Sequence, residues 1–364
     1  MYLRRACELA ERGRGSTAPN PAVGAVIALG SRTLGEGFHR VRGSAHAEAE
    51  ALADAAARGE SVADATIYVT LEPCDHTGLT PPCSQAVVAA GLKRAVIGAL
   101  DPNPRTGGAG VRRLQEAGIA VTLADDPWSA ELIEDFSRAV DGVRPYVRLK
   151  LAASVDGYVA PRPGERHWLT GWEAREYVRE LRARYDAVMV GAGTVRVDDP
   201  QLSVRPPRGR KKPYVRVVVC ERDPVPVSRA VFAPLDGYAL TIVLAPAGRR
   251  AAFAELEPVA DVIYVGPDDA LELDLALALE TLRARGIASV LCEGGPTLAG
   301  RLLERDLVDR ADWLVAPALL GGPDAVPALV RGGGGRTLRF DRVEPLGPDV
   351  LLSAVIPTPT PESE

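Results

Sequence analysis

Residues 45–50 read AHAEAE and residues 71–83 read LEPCDHTGLTPPC, and these two segments decide the fold of the first half of the chain. A catalytic zinc ion takes three protein ligands and leaves its fourth position to water. His46, Cys74 and Cys83 provide that number of nitrogen and sulfur ligands. We therefore predict that these three side chains bind one zinc ion.

The acid two residues after the histidine is predicted to move protons rather than to bind metal. Two thiolates and a neutral imidazole roughly balance the charge of Zn²⁺, and water bound there ionises near neutral pH. Glu48 can then carry protons between that water and a leaving amine. The order H-x-E followed by P-C is that of the zinc nucleobase deaminases, although Cys74 and Cys83 are further apart than in C-x-x-C. A closed structural zinc site is the alternative, and it needs a fourth ligand, for which His76 is the nearby candidate.

Length and composition predict a two-domain globular protein. The chain has 364 residues, of which 46% are hydrophobic and 25% are charged, which exceeds one ordinary core and is typical of globular proteins. A net charge of −5 disfavours a nucleic-acid binder, whose affinity rests largely on Lys and Arg. The basic run at residues 208–212 is expected to be a solvated loop. We find no secretory signal and no apolar run of about 20 residues, and so expect a cytoplasmic location.

The five cysteines do not indicate a disulfide framework, because their number is odd and two of them have a zinc-like context. Cys7, Cys220 and Cys292 lie in apolar helix or strand patterns. We predict that these three are buried packing residues.

Strand and helix patterns alternate in the first half, which predicts an α/β layered sandwich. The predicted helices cover residues 2–13, 46–58, 111–117 and 128–140, with one more starting at residues 81–82. The predicted strands cover residues 23–29, 66–71, 94–100 and 119–123. His46 and Glu48 are thus expected in the first turn of a helix, whose free N–H groups favour negative charge. Asn20, between two prolines, either holds a turn or binds the amide edge of a substrate.

The second half is expected to begin after a boundary at residues 141–145. The predicted strands cover residues 146–153, 187–190, 215–220, 240–244, 262–265 and 289–292, and the predicted helices cover residues 173–184 and 298–303. The loop at residues 191–195 is weak evidence for a dinucleotide site, because Arg196 replaces the last glycine of G-x-G-x-x-G. Residues 293–297 place glycines between a strand and a helix, which favours phosphate binding over a plain turn. The domains are predicted as residues 1–144 and 145–357, with a disordered tail at residues 358–364.

Seven motifs occur along the chain in the order of one known family. They are PNPAVG at 19–24, HAE at 46–48, TLEPC to TPPC at 70–83, DPNP at 101–104, SVDG at 154–157, GTVRVDDP at 193–200 and EGGPTL at 293–298. In these motifs the chain resembles the bifunctional deaminase/reductase family of riboflavin biosynthesis, over about residues 2–356. The long spacing from Cys74 to Cys83 distinguishes this family from cytidine and tRNA-adenosine deaminases.

The resemblance implies a first domain with a cytidine-deaminase-like α/β/α sandwich. This domain would hydrolyse the 2-amino group of 2,5-diamino-6-(5-phosphoribosylamino)pyrimidin-4(3H)-one and release ammonia. The resemblance assigns zinc to His46, Cys74 and Cys83 and proton transfer to Glu48. It assigns substrate contacts to Asn20, His39, His76, Asp101 and Asn103.

The resemblance implies a second domain with a dihydrofolate-reductase-like α/β fold. This domain would use NADPH to reduce the ribosyl group and give 5-amino-6-(5-phosphoribitylamino)uracil. The implied cofactor contacts are Ala152, Trp168, Thr194, Asp198, Glu221, Gly295, Pro296, Thr297, Leu298, Ala299, Gly300 and Arg301. The implied substrate contacts are Lys150, Arg166, Leu202, Arg205 and Glu293. Packing alone is the alternative for Ala152 and Leu202. Arg196 and Arg301 are expected to favour NADPH over NADH, because Arg is the usual partner of a 2′-phosphate.

The chain departs from the family pattern at four positions. Leu79 stands where a Lys or Arg usually meets the substrate phosphate, and Ala45 replaces a common Pro. Cys220 and Glu221 replace a common Asp-Ser pair, and Arg166 replaces a small polar residue. We expect another cation to reach the phosphate; the candidates are Arg40, Arg42 and Arg105.

Two other functions remain open from the sequence. The same two chemistries could act on a related substrate, or on one without a phosphate, in a secondary pathway. A zinc-stabilised protein that edits nucleic acid is a third possibility, which the acidic charge disfavours. We expect a small-molecule substrate, a homo-oligomer, and no nucleic-acid or membrane partner.

Overall fold

The computed structural model describes residues 1–77, 81–104, 106–204, 213–330 and 337–357. The chain forms two compact units, one covering Met1–Gly142 and a second that begins at Val143. The boundary predicted from the sequence lies two residues further along. The predicted disordered tail and the basic run at residues 208–212 lie outside the described residues. None of the described helices combines the length and apolar character needed to cross a bilayer.

The first unit contains one five-stranded mixed sheet. Its strands are β1 Gly24–Leu29, β2 Arg32–Phe38, β3 Thr66–Leu71, β4 Arg94–Ala99 and β5 Ala120–Leu123. Its helices are α1 Tyr2–Glu11, α2 Ala47–Ala57, α3 Cys83–Ala89, α4 Ala109–Glu116, α5 Pro127–Leu132 and α6 Glu134–Asp141. The strand order is β2-β1-β3-β4-β5. Strands β3, β4 and β5 are parallel, and β1 is antiparallel to both of its neighbours.

Helices cover both faces of this sheet, because neighbouring residues of a strand point to opposite faces. Ala25 and Ile27 of β1 pack with the buried side chains of α2, α3 and α4. Val26 points the other way and packs with Ala6 and Leu9 of α1. The result is a three-layer α/β/α sandwich.

Glycines let two helices touch the sheet backbone directly. A Cβ at Gly35 would lie 2.2 Å from the carbonyl oxygen of Ala51, and one at Gly37 would lie 2.4 Å from the nitrogen of Ala51. A Cβ at Gly24 would lie 2.0 Å from the carbonyl oxygen of Ala6. These contacts fix α2 and α1 at short distances from β2 and β1, with no room for larger side chains.

The predictions for this unit omitted one strand and got one helix wrong. Strand β2 was not predicted, because Gly35 and Gly37 interrupt its apolar pattern to make room for α2. The single helix predicted over residues 128–140 is wrong. Its backbone leaves the helical conformation at Ile133, where φ is −113° and ψ is 6°, and the side chain of Ile133 is buried in the core.

The second unit is built on a nine-stranded sheet and a two-stranded one. Its strands are β6 Tyr146–Ser154, β7 Tyr158–Ala160, β8 Ala187–Gly191, β9 Val215–Val219, β10 Thr241–Pro246, β11 Ala260–Val265, β12 Ser289–Cys292, β13 Arg310–Ala316, β14 Val326–Pro327, β15 Arg342–Leu346 and β16 Asp349–Val355. Its α-helices are α7 Trp172–Arg184, α8 Ala192–Asp198, α9 Arg250–Phe253, α10 Leu275–Ala284 and α11 Pro296–Glu304. Single 3₁₀ turns cover Ala230–Phe232, Ala247–Arg249 and Ala254–Leu256.

The order of the large sheet is β11-β10-β9-β8-β12-β6-β13-β16-β15. Seven strands from β11 to β13 run parallel, and β16 and β15 continue the sheet in antiparallel pairs. Successive connections from β8 lead outward to β9, β10 and β11, whereas β12 returns between β8 and β6. Open α/β sheets bind ligands beyond the carboxyl ends of the strands where the direction of connection reverses. The ends of β8 and β12 are therefore the expected site in this unit.

Most predicted elements lie within about two residues of the observed ones. The predictions omitted helices α9 and α10, the two-stranded sheet of β7 and β14, and the C-terminal strands β13, β15 and β16. A loop was predicted at residues 191–195, but helix α8 begins at Ala192 and follows β8 without a gap.

Candidate active site

Three ends of secondary structure bring the predicted zinc ligands together. His46 immediately precedes α2 in an extended conformation, Cys74 lies three residues beyond β3, and Cys83 is the first residue of α3. The Nδ1 atom of His46 lies 3.3 Å from the Sγ of Cys83 and 3.6 Å from the Sγ of Cys74. All three ligand atoms lie within 4.8 Å of one another. The sequence had predicted that His46 lies in the first turn of the helix. In the structure it is instead the N-cap residue that precedes α2.

The two thiols differ in their acidity. Hydrogen bonds from the Cys83 thiol and from His46 lower the pKa of Cys74 to about 4. The hydrogen bond to Cys74 and burial raise the pKa of Cys83, and the hydrogen bond to Cys74 raises the pKa of His46. The cluster therefore favours a thiolate at Cys74, which is the form that binds metals.

This donor set fits an open zinc site. Two sulfurs and one imidazole nitrogen are typical zinc ligands, and catalytic sites keep three of them. Among the described residues, His46, Cys74 and Cys83 form the one group of metal-ligating side chains at such distances. His76, the predicted fourth ligand of a closed site, does not belong to this group and is exposed at the mouth of the cavity.

A cavity of about 420 Å³ opens onto the cluster. All five substrate contacts implied for this unit line it, and three of the four histidines of the chain are among its lining residues. The predicted residues are Asn20, His39, His76, Asp101 and Asn103, and the residues that the sequence did not indicate include Ser44, Glu72, Thr106 and Phe136. Arg42, one of the three suggested cations, also lines the cavity.

Glu48 is only 3% exposed and lines the same cavity as the cluster. It lies in the first turn of α2, two residues after His46. Burial raises the pKa of the Glu48 carboxyl to about 7. A nearby dication opposes this shift, because it favours the carboxylate.

In the second unit, two strand ends converge where the sheet topology places a ligand site. Strand β8 ends at Gly191 and leads into α8, and β12 is followed by Glu293, Gly294 and the start of α11. A Cβ at Gly295 would lie 3.0 Å from the hydroxyl oxygen of Thr194. The starts of α8 and α11 therefore lie close together, and a side chain at position 295 would crowd Thr194. The free N–H groups at the start of α11 suit the phosphates of a dinucleotide.

A charged network lies beside these loops. Arg182 of α7 donates two hydrogen bonds to the carboxylate of Glu293, at 2.5 and 2.9 Å. The Nζ of Lys150, on β6, lies 4.0 Å from the same carboxylate. The positive charge of Arg182 helps to lower the pKa of Glu293 against the effect of its burial. Glu293 is thus held ionised at the end of β12.

Comparison with known proteins gives matches over nearly the whole chain. Residues 145–352 match the model of the RibD C-terminal domain, and residues 1–99 match that of the cytidine and deoxycytidylate deaminase zinc-binding region. The chain is 38% identical to the riboflavin biosynthesis protein RibD of Escherichia coli strain K12, with 97% of this chain and 98% of that protein covered. It is 37% identical to the protein of the same name from Bacillus amyloliquefaciens, with 97% and 95% covered.

The chain belongs to the RibD family.

Solved structures agree with this assignment. RibD of Acinetobacter baumannii is 36% identical, with a TM-score of 0.75 and 97% of both chains covered. A diaminohydroxyphosphoribosylaminopyrimidine deaminase/5-amino-6-(5-phosphoribosylamino)uracil reductase of Thermotoga maritima is 34% identical, with a TM-score of 0.79 and the same coverage. The family and the fold class predicted from the sequence are confirmed. The chain is a bifunctional enzyme of riboflavin biosynthesis, a zinc-dependent deaminase and an NADPH-dependent reductase.

Within the RibD family site, His39 orients Asn20. Burial lowers the pKa of His39, so its ring is neutral. Its Nδ1 lies 3.0 Å from the carbonyl oxygen of Ala45 and must carry the proton, because a carbonyl only accepts. The other nitrogen then accepts from the amide of Asn20 at 3.2 Å. This bond fixes the Asn20 amide and leaves its oxygen available to a ring N–H or amino group.

Asp101 and Asn103 lie in a loop that is closed by its own hydrogen bonds. The Asp101 carboxylate accepts from the backbone N–H of Asn103 and from the hydroxyl of Thr106, both at 2.9 Å. Asp101 therefore shapes the loop in addition to lining the cavity.

The three cations suggested for the phosphate differ in their surroundings. Arg40 donates to Glu50 at 3.2 Å and stacks on Phe38. Arg42 lies at the exposed rim of the cavity, in a turn where Ser44 donates to the carbonyl of Val41. Leu79 and Arg105 lie outside the described residues.

The cofactor residues implied for the reductase fall into three groups. Leu298, Ala299 and Gly300 are buried, so they can meet a cofactor only through their backbone. Thr194 lies in the first turn of α8, and the residues from Gly295 to Thr297 lie at the start of α11. Ala152 is half-buried on β6 and packs with the core beside α7.

Other implied residues are charged or aromatic. Burial raises the pKa of Asp198, although the positive charges of Arg166 and Lys150 oppose that shift. The guanidinium of Arg166 lies 4.5 Å above the ring of Trp168, which is 64% exposed. Arg301 forms an ion pair with Glu221.

The expectation that Arg196 and Arg301 receive a 2′-phosphate stays a prediction. Arg196 donates instead to the backbone carbonyls of Asp223 and Pro224, and Arg301 already has a carboxylate partner. Neither contact was foreseen from the sequence.

Leu202 is buried and has a positive φ of 52°, which is costly for a leucine. Its neighbour Ser203 accepts a hydrogen bond from Arg182 at 3.1 Å. The sequence did not indicate Arg182, because it is one of many charged residues of α7 and has no motif around it. Arg205 lies outside the described residues.

The three remaining cysteines are buried, as predicted. Cys7 is 6% exposed, and Cys220 and Cys292 are fully buried. Burial is the main cause of the raised pKa of all three thiols. They are therefore packing residues and serve as controls for the zinc ligands.

Removing one sulfur ligand is expected to release the metal. The wild type should hold about one zinc ion per chain, because one three-ligand group is present among the described residues. Cys74→Ser should lose zinc and deaminase activity, and Cys7→Ser should keep both. Zinc is measured by elemental analysis of the purified proteins, and full occupancy in Cys74→Ser would contradict the ligand assignment.

Proposed function

We propose that the first unit hydrolyses the 2-amino group of 2,5-diamino-6-(5-phosphoribosylamino)pyrimidin-4(3H)-one. The second unit then reduces the ribosyl group to give 5-amino-6-(5-phosphoribitylamino)uracil. The observation that carries this proposal is the open group of His46, Cys74 and Cys83, with buried Glu48 in the same cavity. The name of the Thermotoga maritima relative, with its deaminase and reductase activities, supports the choice of substrates.

In the deaminase, the residues of the cavity place the pyrimidine and Glu48 transfers protons. Zinc held by His46, Cys74 and Cys83 supplies Lewis-acid chemistry that activates water near neutral pH. Glu48 takes a proton from the attacking water and gives it to the leaving amine, which departs as ammonia. The Asn20 amide, oriented by His39, accepts from the polar edge of the ring.

In the reductase, loops at the ends of the parallel strands hold the cofactor and the sugar. NADPH supplies the hydride that reduces the ribosyl group. The N–H groups at the start of α11 receive the phosphates of NADPH. Thr194 lies close to Gly295, which precedes this helix. Lys150 and Glu293 lie close to each other. Lys150 donates to the oxygens of the sugar, and Glu293 accepts from the hydroxyls of the sugar. Arg182 keeps Glu293 in place for this contact.

We further propose that Arg42 replaces the cation missing at Leu79. Arg42 lines the cavity, is exposed, and makes no hydrogen bond or ion pair with any residue that the structure describes. Its guanidinium is therefore available to a phosphate at the rim. We also propose that the protein is cytoplasmic and forms a homo-oligomer.

Supplying both substrates tests the function as a whole. Wild-type protein incubated with the diaminopyrimidine phosphate and NADPH should release ammonia and form the ribitylaminouracil phosphate, identified by its mass. Without NADPH, the reaction should stop at the deaminated ribosyl compound. If neither product forms while a related pyrimidine is turned over, the chain acts on another substrate with the same chemistry.

Changing the proton-transfer residue should separate the two activities. Glu48→Gln should keep zinc and lower the deaminase rate by at least ~100-fold, the usual scale of general acid–base catalysis. Reduction of the pre-deaminated substrate should continue, because that site is in the other unit. Glu50→Gln is the matched control, since Glu50 lies on the same helix and pairs with Arg40. A deaminase rate near that of the wild type in Glu48→Gln would exclude Glu48 from the reaction.

Removing Arg42 should weaken binding of the phosphorylated substrate alone. A charge-assisted hydrogen bond contributes roughly 1.5–3 kcal/mol, so Arg42→Ala should raise the KM of the phosphorylated compound by about tenfold or more. The KM of the dephosphorylated compound should not change. Arg40→Ala is the control, because Arg40 is bound to Glu50. An equal KM for the phosphorylated compound in Arg42→Ala and the wild type would rule out this contact.

A further inference from the structure

Glu72 is a buried carboxylate in the deaminase cavity that takes no part in the proton transfer described above. It follows β3 directly and precedes Cys74 by two residues. It is 5% exposed and lines the cavity. A buried carboxylate needs hydrogen-bond donors in place of water.

Three backbone N–H groups donate to this carboxylate. One oxygen accepts from Asp101 at 3.2 Å and from Gly108 at 2.9 Å, and the other accepts from Val111 at 3.1 Å. All three donors belong to one segment, which runs from the end of β4 into the first turn of α4. Glu72 therefore ties this segment to the end of β3.

The start of α4 depends on this external carboxylate. Helix α4 is preceded by Gly108, which has no side chain to cap the helix, and its first turn contains no acidic residue. Glu72 accepts from the N–H groups that a capping side chain would otherwise bind. A Cβ at Gly110 would lie 1.9 Å from the carbonyl oxygen of Pro73, so the backbones of the two segments are in direct contact.

The same segment carries residues that face the substrate. Asp101, Asn103 and Thr106 line the cavity, and the hydrogen bonds from Asn103 and Thr106 to Asp101 close their loop. The loop is therefore held internally by Asp101 and externally by Glu72. Since Glu72 and Cys74 follow the same strand, the position of the loop is fixed relative to the metal ligands.

We propose that Glu72 is a positioning residue of the deaminase, which holds the substrate-facing loop at a set distance from the zinc ligands. It acts through the backbone of residues 101–111 and not by contact with the substrate. This inference rests on the proposed function, because that function gives Asp101 and Asn103 their substrate. Losing Glu72 should displace the substrate contacts and leave the metal in place.

The test is Glu72→Gln, which keeps the shape of the side chain and turns one acceptor oxygen into an N–H donor. The full chain should retain about one zinc ion and its reductase activity. The KM of the diaminopyrimidine phosphate should rise roughly tenfold or more, while kcat falls less than about threefold. Glu72→Asp, which keeps the charge, should have a KM between those of Glu72→Gln and the wild type.

Asp126→Asn is the matched control. Asp126 also caps a helix of this unit, since it accepts from the N–H of Ser129 at 2.8 Å, but it does not line the cavity. Both variants should lower the midpoint temperature of thermal unfolding. Only Glu72→Gln should raise the KM of the diaminopyrimidine phosphate. A wild-type KM in Glu72→Gln, or loss of its zinc, would overturn the proposal.

Two further outcomes are possible: the Glu72→Gln variant fails to fold, or the wild type does not deaminate this substrate. If Glu72→Gln does not fold, the KM of Glu72→Asp decides, because its shorter carboxylate cannot reach all three donors. A wild-type KM in that variant would likewise overturn the proposal. Failure of the wild type to deaminate this substrate would contradict the proposed function itself and is seen before any variant is compared.

Discussion

Direct backbone contact between α2 and β2 is the constraint on which the zinc site depends. Gly35 and Gly37 leave no side chain between the strand and Ala51 of the helix. The helix therefore has one position on the sheet, and its first residues are placed with it. His46 and Glu48 reach the end of β3 because the helix cannot move outward without opening a cavity. A larger residue at either glycine would displace His46 and Glu48 together.

Three buried carboxylates show how the surroundings of an acid set its role. Glu72 accepts from three backbone N–H groups, and so it holds a loop. Glu293 is paired with Arg182, which keeps it ionised and fixed in position at the end of β12. Glu48 lies beside the zinc ligands in an open cavity, and burial raises its pKa. A group that exchanges protons needs a pKa near the working pH, whereas the positive charge of Arg182 helps to lower the pKa of Glu293.

The departures from the family pattern are local changes in charge. Leu79 stands where the family usually has a cation, and Arg42 lines the cavity of the first unit. Where Glu221 adds an acid near the reductase loops, Arg301 pairs with it. The predicted metal ligands, the helix ends that carry them and the cavity beside them all agree with the family motifs. Under the proposed function, such changes would alter the binding of the phosphate groups and would leave the two reactions unchanged.

The sequence by itself determined the alternation of strands and helices and predicted the zinc ligands and Glu48, because each follows from spacing over a few residues. It did not indicate β2, since the glycines that make room for α2 also erase the apolar alternation of a strand. Only the tertiary structure showed that Arg182 holds Glu293 and that the donors to Glu72 come from the segment at Gly108. These partners are 111 and 36 residues apart. Contacts over such distances depend on how the sheet is ordered, and no local pattern of residues records that order.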